Sequence, residues 1–436
     1  MANLVGARIE RKEDKKFLTG KGRYTADINL ANQTYAYFVR SPHARAKITK
    51  VDHSKAMKAP GVIDIFTGDC VVKDKIGGLI CGWKIVSQDG KDMKCPPHPV
   101  LAKDSVNFVG DHVAVVVAET LEQAKNAAEL VNVSYKVQKA VIKTEDATSF
   151  ENIHEGIDNN LSFDFLLGDK GKTDEAFSKA DKIVKLDIVN NRLIPNAMEP
   201  RAAIGDYNTS SDELTLYTAS QNPHLDRLIM SAFNAVHPEH KFRIVAPDVG
   251  GGFGSKINVY AEDVVVAYAS KKIGRPVKWV AERSESFVSD NHGRDHVTHA
   301  ELAVNNDGKI TGIKVDTIAN LGAYSLVLAA VTPTYLYAPL LLGIYDIPTA
   351  CCTVKGVYTN TAPTDAYRGA GRPEATYVIE RIVTEAAKEI GMDQAEFRKK
   401  NFINKFPHQQ CLVHNIDSGD YNAHLDKAIE LADYKN

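Results

Sequence analysis

Ala366-Tyr367-Arg368-Gly369-Ala370-Gly371-Arg372, followed by Pro373 and Glu374, is the most telling stretch of this chain. Two arginines stand among three small residues, directly before a long amphipathic run. Arginine keeps its charge at any ordinary pH, and its planar fork grips anions through paired hydrogen bonds. Glycine lets a bulky ligand press against the backbone. A loop of this composition, feeding a helix N-terminus, suits a large anionic group. The helix is predicted over Pro373 to Ile390. There Val378, Ile379, Ile382, Val383, Ala386, Ala387 and Ile390 recur at helical spacing, and Gly391 can end it.

A second loop lies upstream. Val249-Gly250-Gly251-Gly252-Phe253-Gly254-Ser255-Lys256 follows a predicted strand, Lys241 to Ala246, and precedes a predicted helix, Tyr260 to Ile273, ended by Gly274. Strand, glycine loop, helix is a phosphate-cradling order. Two familiar motifs of that kind fail here. Counting a G-x-G-x-x-G from Gly250 puts Ser255 at the sixth position, and from Gly252 puts Ile257 there. A P-loop needs Lys followed by Ser or Thr, but Lys256 is followed by Ile257. The unusual element is Phe253 between glycines, an aromatic that can wall a pocket while neighbouring N–H groups face a ligand. Taken alone, the loop also reads as a tight turn with no ligand. Further upstream, Ser220-Gln221-Asn222-Pro223-His224 ends a strand. Gln221 offers a donor amide where functional side chains tend to emerge, although alone it reads as a turn residue. A helix is predicted after Asn222-Pro223.

Residues 20–138 read as a compact α/β module. Val62 to Thr67, His112 to Ala118 and Asn132 to Val137 are strand-like, and Thr120 opens a helix through Leu121, Ala124, Ala127 and Ala128. Strand, helix, strand in so short a span suggests a packed unit. Residues 139–171 are polar and loop-like and read as a linker. Asp181 to Asn190 and Glu213 to Thr218 are predicted strands. Val297 to Asn305 and Lys309 to Ile318 form a predicted hairpin around Asn306-Asp307-Gly308. Tyr421 to Tyr434 is an amphipathic helix near the chain's end.

Composition excludes some classes. With 53 Lys+Arg against 55 Asp+Glu in 436 residues, the net charge of −2 points to no nucleic-acid or anionic-membrane partner. Cys70, Cys81, Cys95, Cys351, Cys352 and Cys411 form no zinc or cluster spacing and read as reduced thiols. Met1 to Gly6 lacks the apolar core of a leader. The most apolar tract, Leu326 to Leu342, is broken by Pro333 and Pro339, so no membrane span is expected. These features read as cytoplasmic.

Taken in order, Gln221-Asn222-Pro223, the Gly250 to Gly254 loop and the Ala366 to Arg372 loop resemble the molybdopterin-binding subunits of the xanthine dehydrogenase and aldehyde oxidase family. That family includes the large chain of aerobic carbon monoxide dehydrogenase. Gly20-Lys21-Gly22-Arg23-Tyr24-Thr25-Ala26-Asp27 and Arg40-Ser41-Pro42-His43-Ala44 are similar to the opening of its αβ hammerhead domain. Glu199-Pro200 and Leu321-Gly322-Ala323-Tyr324 fit as well. The resemblance implies an α+β fold. An N-terminal extension (1–19) leads to the αβ hammerhead domain (20–138) and a linker (139–171). A mixed α/β first molybdopterin-binding domain (172–405) and the start of a second such region (406–436) follow.

The resemblance also implies a molybdenum hydroxylase that oxidises an aldehyde or aromatic N-heterocycle with oxygen from water. Electrons would pass to a 2Fe-2S small subunit and an FAD-binding medium subunit. The implied cofactor is molybdenum-molybdopterin in its cytosine dinucleotide form, bound by Gln221, Gly251, Gly252, Phe253, Gly254 and Arg368. No side chain of the chain is expected to ligate metal directly. Gln221 would donate to the molybdenum oxo group, and Arg368 would steady the cofactor or substrate. The implied substrate pocket holds Ile257, Leu336, Gly369 and Ala370. Gly369 stands where carbon monoxide dehydrogenases carry a copper-binding cysteine, which argues against carbon monoxide as substrate. Ile257 and Leu336 replace a glutamate and an arginine of the xanthine-oxidising members, which makes the pocket apolar.

The family's general base, a glutamate in a Gly-Glu context, has no counterpart after the arginine loop, so no catalytic residue is assigned. The chain is therefore expected to be one half of a large subunit, cut short or naturally split, and to hold no cofactor alone. Alternatives are a carbon monoxide dehydrogenase-like chain with another substrate, or a non-catalytic half that only binds the cofactor with a partner chain. The failed dinucleotide fingerprint disfavours a nicotinamide-dependent dehydrogenase. His112, where relatives usually have proline, reads as a loop variation and not as a metal ligand.

Overall fold

The computed structural model describes residues 4–434. Met1 to Asn3, at the head of the stretch read for a leader, and Lys435 and Asn436 lie outside the described residues. The first part carries α1 (Asp14–Leu18), β1 (Thr34–Arg40), β2 (Ala46–Asp52), β3 (Val62–Thr67), α2 (Gly68–Lys73), β4 (Ser105–Val106), β5 (His112–Ala118), α3 (Leu121–Ala128) and β6 (Asn132–Val137). Next come β7 (Leu161–Gly168), α4 (Lys170–Ser178), β8 (Lys182–Asn190), β9 (Ala202–Asn208), β10 (Glu213–Thr218), α5 (Pro223–Ala232), β11 (Phe242–Val245), α6 (Ala261–Ile273), β12 (Val277–Val280) and α7 (Arg283–Ser289). Then follow β13 (His296–Val304), β14 (Ile310–Asn320), β15 (Ala350–Val357), α8 (Arg372–Ile390), α9 (Gln394–Asn401) and α10 (Tyr421–Leu431).

Two large sheets organise these elements. One has the order β11-β10-β9-β12-β1-β5-β3 and the other β7-β15-β14-β13-β8, while β4-β2-β6 form a small third sheet. β1 pairs in parallel with β12, Thr34 against Val277, so the first part and the glycine-loop part share one sheet. All seven residues of β5 are buried, as a largely apolar run on an inner strand covered on both faces demands. α6 is buried over its first ten residues and packs on β9, which fits a helix apolar almost all round. α8 lays its apolar stripe on β8 and β13. The predicted hairpin is present as β13 and β14, in antiparallel register from His296↔Ala319 to Val304↔Ile310.

Two readings of the sequence, the loop at β7 and the role of His112, need correction. The polar stretch read as a loop contains β7, an edge strand on β15, because Phe163 and Phe165 alternate with polar residues and bury one face. The strand–helix–strand around Thr120 packs as one unit, Val116, Ala127 and Val133 sharing an apolar cluster, with β5 in the large sheet and β6 paired with β2. His112 is no loop variation. It begins β5, is buried, and its Nε2 lies 3.0 Å from Glu262 Oε1.

That contact belongs to a buried charge network. Glu262, fully buried on the first turn of α6, accepts from Arg201 Nη1 and Nη2 (3.0 and 2.9 Å) and from Arg40 Nη2 (2.7 Å). Arg40 also reaches Glu285, and Arg201 reaches Asp290 while its guanidinium lies 3.7 Å from the Tyr260 ring centroid. Burial alone would push the Glu262 carboxyl up, but Arg201, His112 and Arg40 hold it well below its ordinary range. Removing one partner strands the others in a dry interior. Glu262→Ala is expected to lose about 3–5 kcal/mol in urea denaturation of the purified chain. The exposed Glu145→Ala should stay within about 0.5 kcal/mol of wild type.

Candidate functional site

Three segments converge at the end of the seven-stranded sheet. The first is the turn after β10. The Ser220 hydroxyl accepts the Asn222 N–H (2.9 Å) and donates to Asp226 on α5, while Pro223 starts that helix. This leaves Gln221 exposed, with its own N–H on the Lys256 carbonyl (2.8 Å). The Gln221 Oε1 accepts the Gly254 N–H at 2.9 Å. A backbone N–H can only donate, so this bond fixes which way the amide points. The Nε2 donor has no protein partner among the described residues and faces out of the bond.

The glycine loop is the second segment, and one carboxylate holds both its ends. Glu199 Oε2 accepts the Gly250 N–H (2.7 Å) and the Lys256 Nζ (2.8 Å), and Lys256 also bonds the Glu199 carbonyl (2.9 Å). Burial lowers the Lys256 pKa, and the pairing with Glu199 works against that. Phe253 sits between these anchors in the left-handed region at φ 54°, exposed, a strain that a non-glycine residue adopts only when its surroundings impose it. Gly252 lies so close to Gln221 that a Cβ would run into its side-chain amide. Gly254, at φ +103°, would drive a Cβ into the Ala366 carbonyl.

The arginine loop closes over the second. The Arg368 N–H donates to the Phe253 carbonyl at 2.9 Å. From below, the buried Arg294 donates to the Tyr367 carbonyl (3.1 Å), the Arg368 carbonyl (2.9 Å) and Glu374 Oε1 (3.0 Å). Backbone polar groups are thus spent on holding the loop. The Arg368 guanidinium is left exposed, 5.8 Å from the Phe253 ring centroid, with no hydrogen bond among the described residues. Arg372 reaches only the Gly369 carbonyl, at 3.4 Å.

The structure therefore brings Gln221, Gly252, Phe253, Gly254 and Arg368 together, with Gly251 beside the Phe253 ring. Gly369 and Ala370 form the crest of the arginine loop, with φ of 101° and 38°. Leu336 approaches that loop from another segment, its carbonyl packed against Gly371. Ile257 stays with the strand-end turn: its carbonyl accepts Asn222 Nδ2 at 3.0 Å. No hydrogen bond joins Ile257 to Leu336 among the described residues. Among those residues no three His, Cys, Asp or Glu side chains converge as a metal-ligand set, and no helix is long and apolar enough to cross a membrane.

Sequence reasoning missed the supports. Glu199 had shown only as half of Glu199-Pro200, Lys256 only as a failed P-loop lysine, and Arg294 and Asp226 not at all. The partners of Glu199, Lys256 and Arg294 lie tens of residues away, so spacing carries no signal of them, while Asp226 meets Ser220 only six residues back across the turn.

A hammerhead unit and a cofactor-binding unit built on one sheet define the class. A family model described as aldehyde oxidase and xanthine dehydrogenase, a/b hammerhead domain, matches residues 19–139, and one described as molybdopterin cofactor-binding domain matches residues 153–402. The chain belongs to the aldehyde oxidase and xanthine dehydrogenase family of molybdopterin-binding proteins, with the α+β fold that the resemblance implied. It is 36% identical to the carbon monoxide dehydrogenase large chain of Hydrogenophaga pseudoflava, across 97% of this chain and 53% of that one. It is similar to the crystal structure of quinoline 2-oxidoreductase from Pseudomonas putida 86 with a TM-score of 0.92 and 29% identity, over 99% of this chain and 54% of that one. The nicotinate dehydrogenase large molybdopterin subunit of Eubacterium barkeri is 29% identical across 91% of this chain and 89% of that one. The chain spans about half the length of the first two and nearly all of the third.

Loop contact can be tested at one atom. Gly254→Ala is expected to lose at least about 1–3 kcal/mol in thermal denaturation from backbone strain at φ +103°, with the clash of the new methyl on the Ala366 carbonyl adding to it. Gly171→Ala, in the regular turn of α4 with nothing closer than 3.6 Å, should hold or gain up to about 1 kcal/mol.

Proposed function

We propose that this chain supplies one wall of a molybdenum-molybdopterin site in a hydroxylase. The observation that carries the reading is the Gln221 amide, locked by the Gly254 N–H with its donor end free among the described residues, across the Phe253 loop from an arginine whose fork makes no hydrogen bond among them. The residues present suit such a group. Gly251, Gly252 and Gly254 have no room for a side chain, so Phe253, Gln221 and Ala366 close directly on the loop backbone. Gln221 Nε2 would donate to an oxo oxygen, the Gly252 to Gly254 backbone would lie along the pterin, and Arg368 would hold an anionic edge. When bound, the group supplies two-electron oxidation of a carbon centre with water as the oxygen source.

The substrate side of this reading is apolar. Ile257, Leu336, Gly369 and Ala370 offer no charge and no thiol. A copper-binding cysteine at position 369 is absent, so the reading turns from carbon monoxide towards an aldehyde or an aromatic N-heterocycle. The structural likeness to a quinoline oxidoreductase supports the heterocycle. The cofactor is taken in its cytosine dinucleotide form, with a 2Fe-2S small subunit and an FAD-binding medium subunit as electron partners. The proton-accepting glutamate is assigned outside the residues of this chain, in a continuation of it or in a partner chain. A relative of nearly this chain's length, itself named a large molybdopterin subunit, is compatible with a partner chain.

Metal analysis tests this. The chain purified alone should carry no stoichiometric molybdenum, and the assembled complex should carry it. Stoichiometric metal on the lone chain would sink the half-site reading. In the assembled enzyme, Gln221→Leu should keep its metal and lose about a hundredfold or more in kcat, the scale for one donor aimed at developing charge.

A further inference from the structure

Beneath the turn that presents Gln221 lies a closed cavity lined by Arg201, Thr218, Ser220, Asp226, Lys256 and Tyr260. Its free volume is ≈ 10 Å³, room for the centre of one water molecule. The walls are polar and deeply buried: Arg201 and Asp226 are each 4% exposed and Lys256 2%. Asp226 Oδ2 takes the Ser220 hydroxyl, but its Oδ1 is buried and has no hydrogen-bond partner among the described residues. Lys256 spends two of its three N–H donors on Glu199, which leaves one. A buried polar atom left unpaired costs far more than a paired one. Burial pushes the Asp226 carboxyl up to about 8 and the Lys256 ammonium down, as groups short of partners behave.

We propose that this cavity is a binding site for a single ordered water bonded to Asp226 Oδ1, and that Asp226 is a positioning residue for Gln221. The water would join α5 to the last residue of the glycine loop. Both its neighbours act on Gln221. Asp226 holds Ser220, whose hydroxyl accepts the Asn222 N–H, and the Lys256 carbonyl accepts the Gln221 N–H. Gln221 is thereby fixed on both sides before its side chain meets Gly254. The hydration site stands on the cavity alone. Its importance for chemistry rests on the reading of Gln221 as a cofactor donor.

A high-resolution crystal structure of the full chain, with hydrogen exchange of the Gly254 amide, tests this. One water peak is expected within hydrogen-bond distance of Asp226 Oδ1. Asp226→Leu fills the cavity with carbon and should speed Gly254 exchange about tenfold or more, with β13 and β14 amides unchanged. Asp226→Asn keeps an acceptor for Ser220 and a polar group for the water, and should stay within about threefold of wild type. A dry cavity, or unchanged Gly254 exchange in folded Asp226→Leu, overturns the proposal. If that variant does not fold, the crystal decides: the peak must appear in both wild type and Asp226→Asn. These readouts need no cofactor. The kcat of Gln221→Leu in the assembled enzyme reports separately on the role of Gln221, so the two failures can be told apart.

Discussion

Glu262 puts a full negative charge where no water reaches it, and much of the architecture follows from neutralising it. Arg201 just before β9, Arg40 at the end of β1 and His112 at the start of β5 all close on that one carboxylate. Two of the three come from the first part of the chain. The hammerhead unit is therefore docked against the first turn of α6 by charge as well as by the β1–β12 pairing. The glycine loop runs directly into that turn, so its exit is set by the same network. Tyr260, one residue before α6, lies under Arg201 and bonds both the Ser255 carbonyl and Asn291.

On that base, the site economises on freedom in one place and keeps it in another. The Gly250, Gly254 and Arg368 backbone N–H groups are committed to Glu199, Gln221 and Phe253. The donors left over among the described residues include the Gly252 and Phe253 N–H groups and two side-chain ends, the Gln221 Nε2 and the Arg368 fork. A rigid backbone with a few free donors at its edge is what a large, rigid ligand requires, since little order is lost when it binds. The strain at Phe253 belongs to the same arrangement, because its left-handed backbone turns the carbonyl towards Arg368 and the ring towards solvent.

Local features of this fold were legible and distant ones were not. The Asn306-Asp307-Gly308 hairpin, the Pro223 helix start and the α8 stripe declare themselves within a few residues, because turn chemistry and helical period act over that range. β7 escaped because its stretch is polar on average, although Phe163 and Phe165 alternate correctly. The sharing of one sheet by the two parts rests on β1 against β12, some 240 residues apart, and no local pattern encodes it. Of the site, Gln221, Phe253 and Arg368 stood out by type and context. Their supports did not. Glu199, Asp226 and Arg294 are ordinary charged residues whose meaning depends wholly on what folds beside them.

The central claim is that the three segments make one wall of a pterin site. A crystal structure of the assembled enzyme with its cofactor bound tests that most directly. The account predicts Gln221 Nε2 and the Gly252 to Gly254 backbone within hydrogen-bond distance of the cofactor, with Gln221 Oε1 still on the Gly254 N–H. A cofactor seated elsewhere, with Gln221 Nε2 and the Arg368 fork both facing solvent, would contradict it.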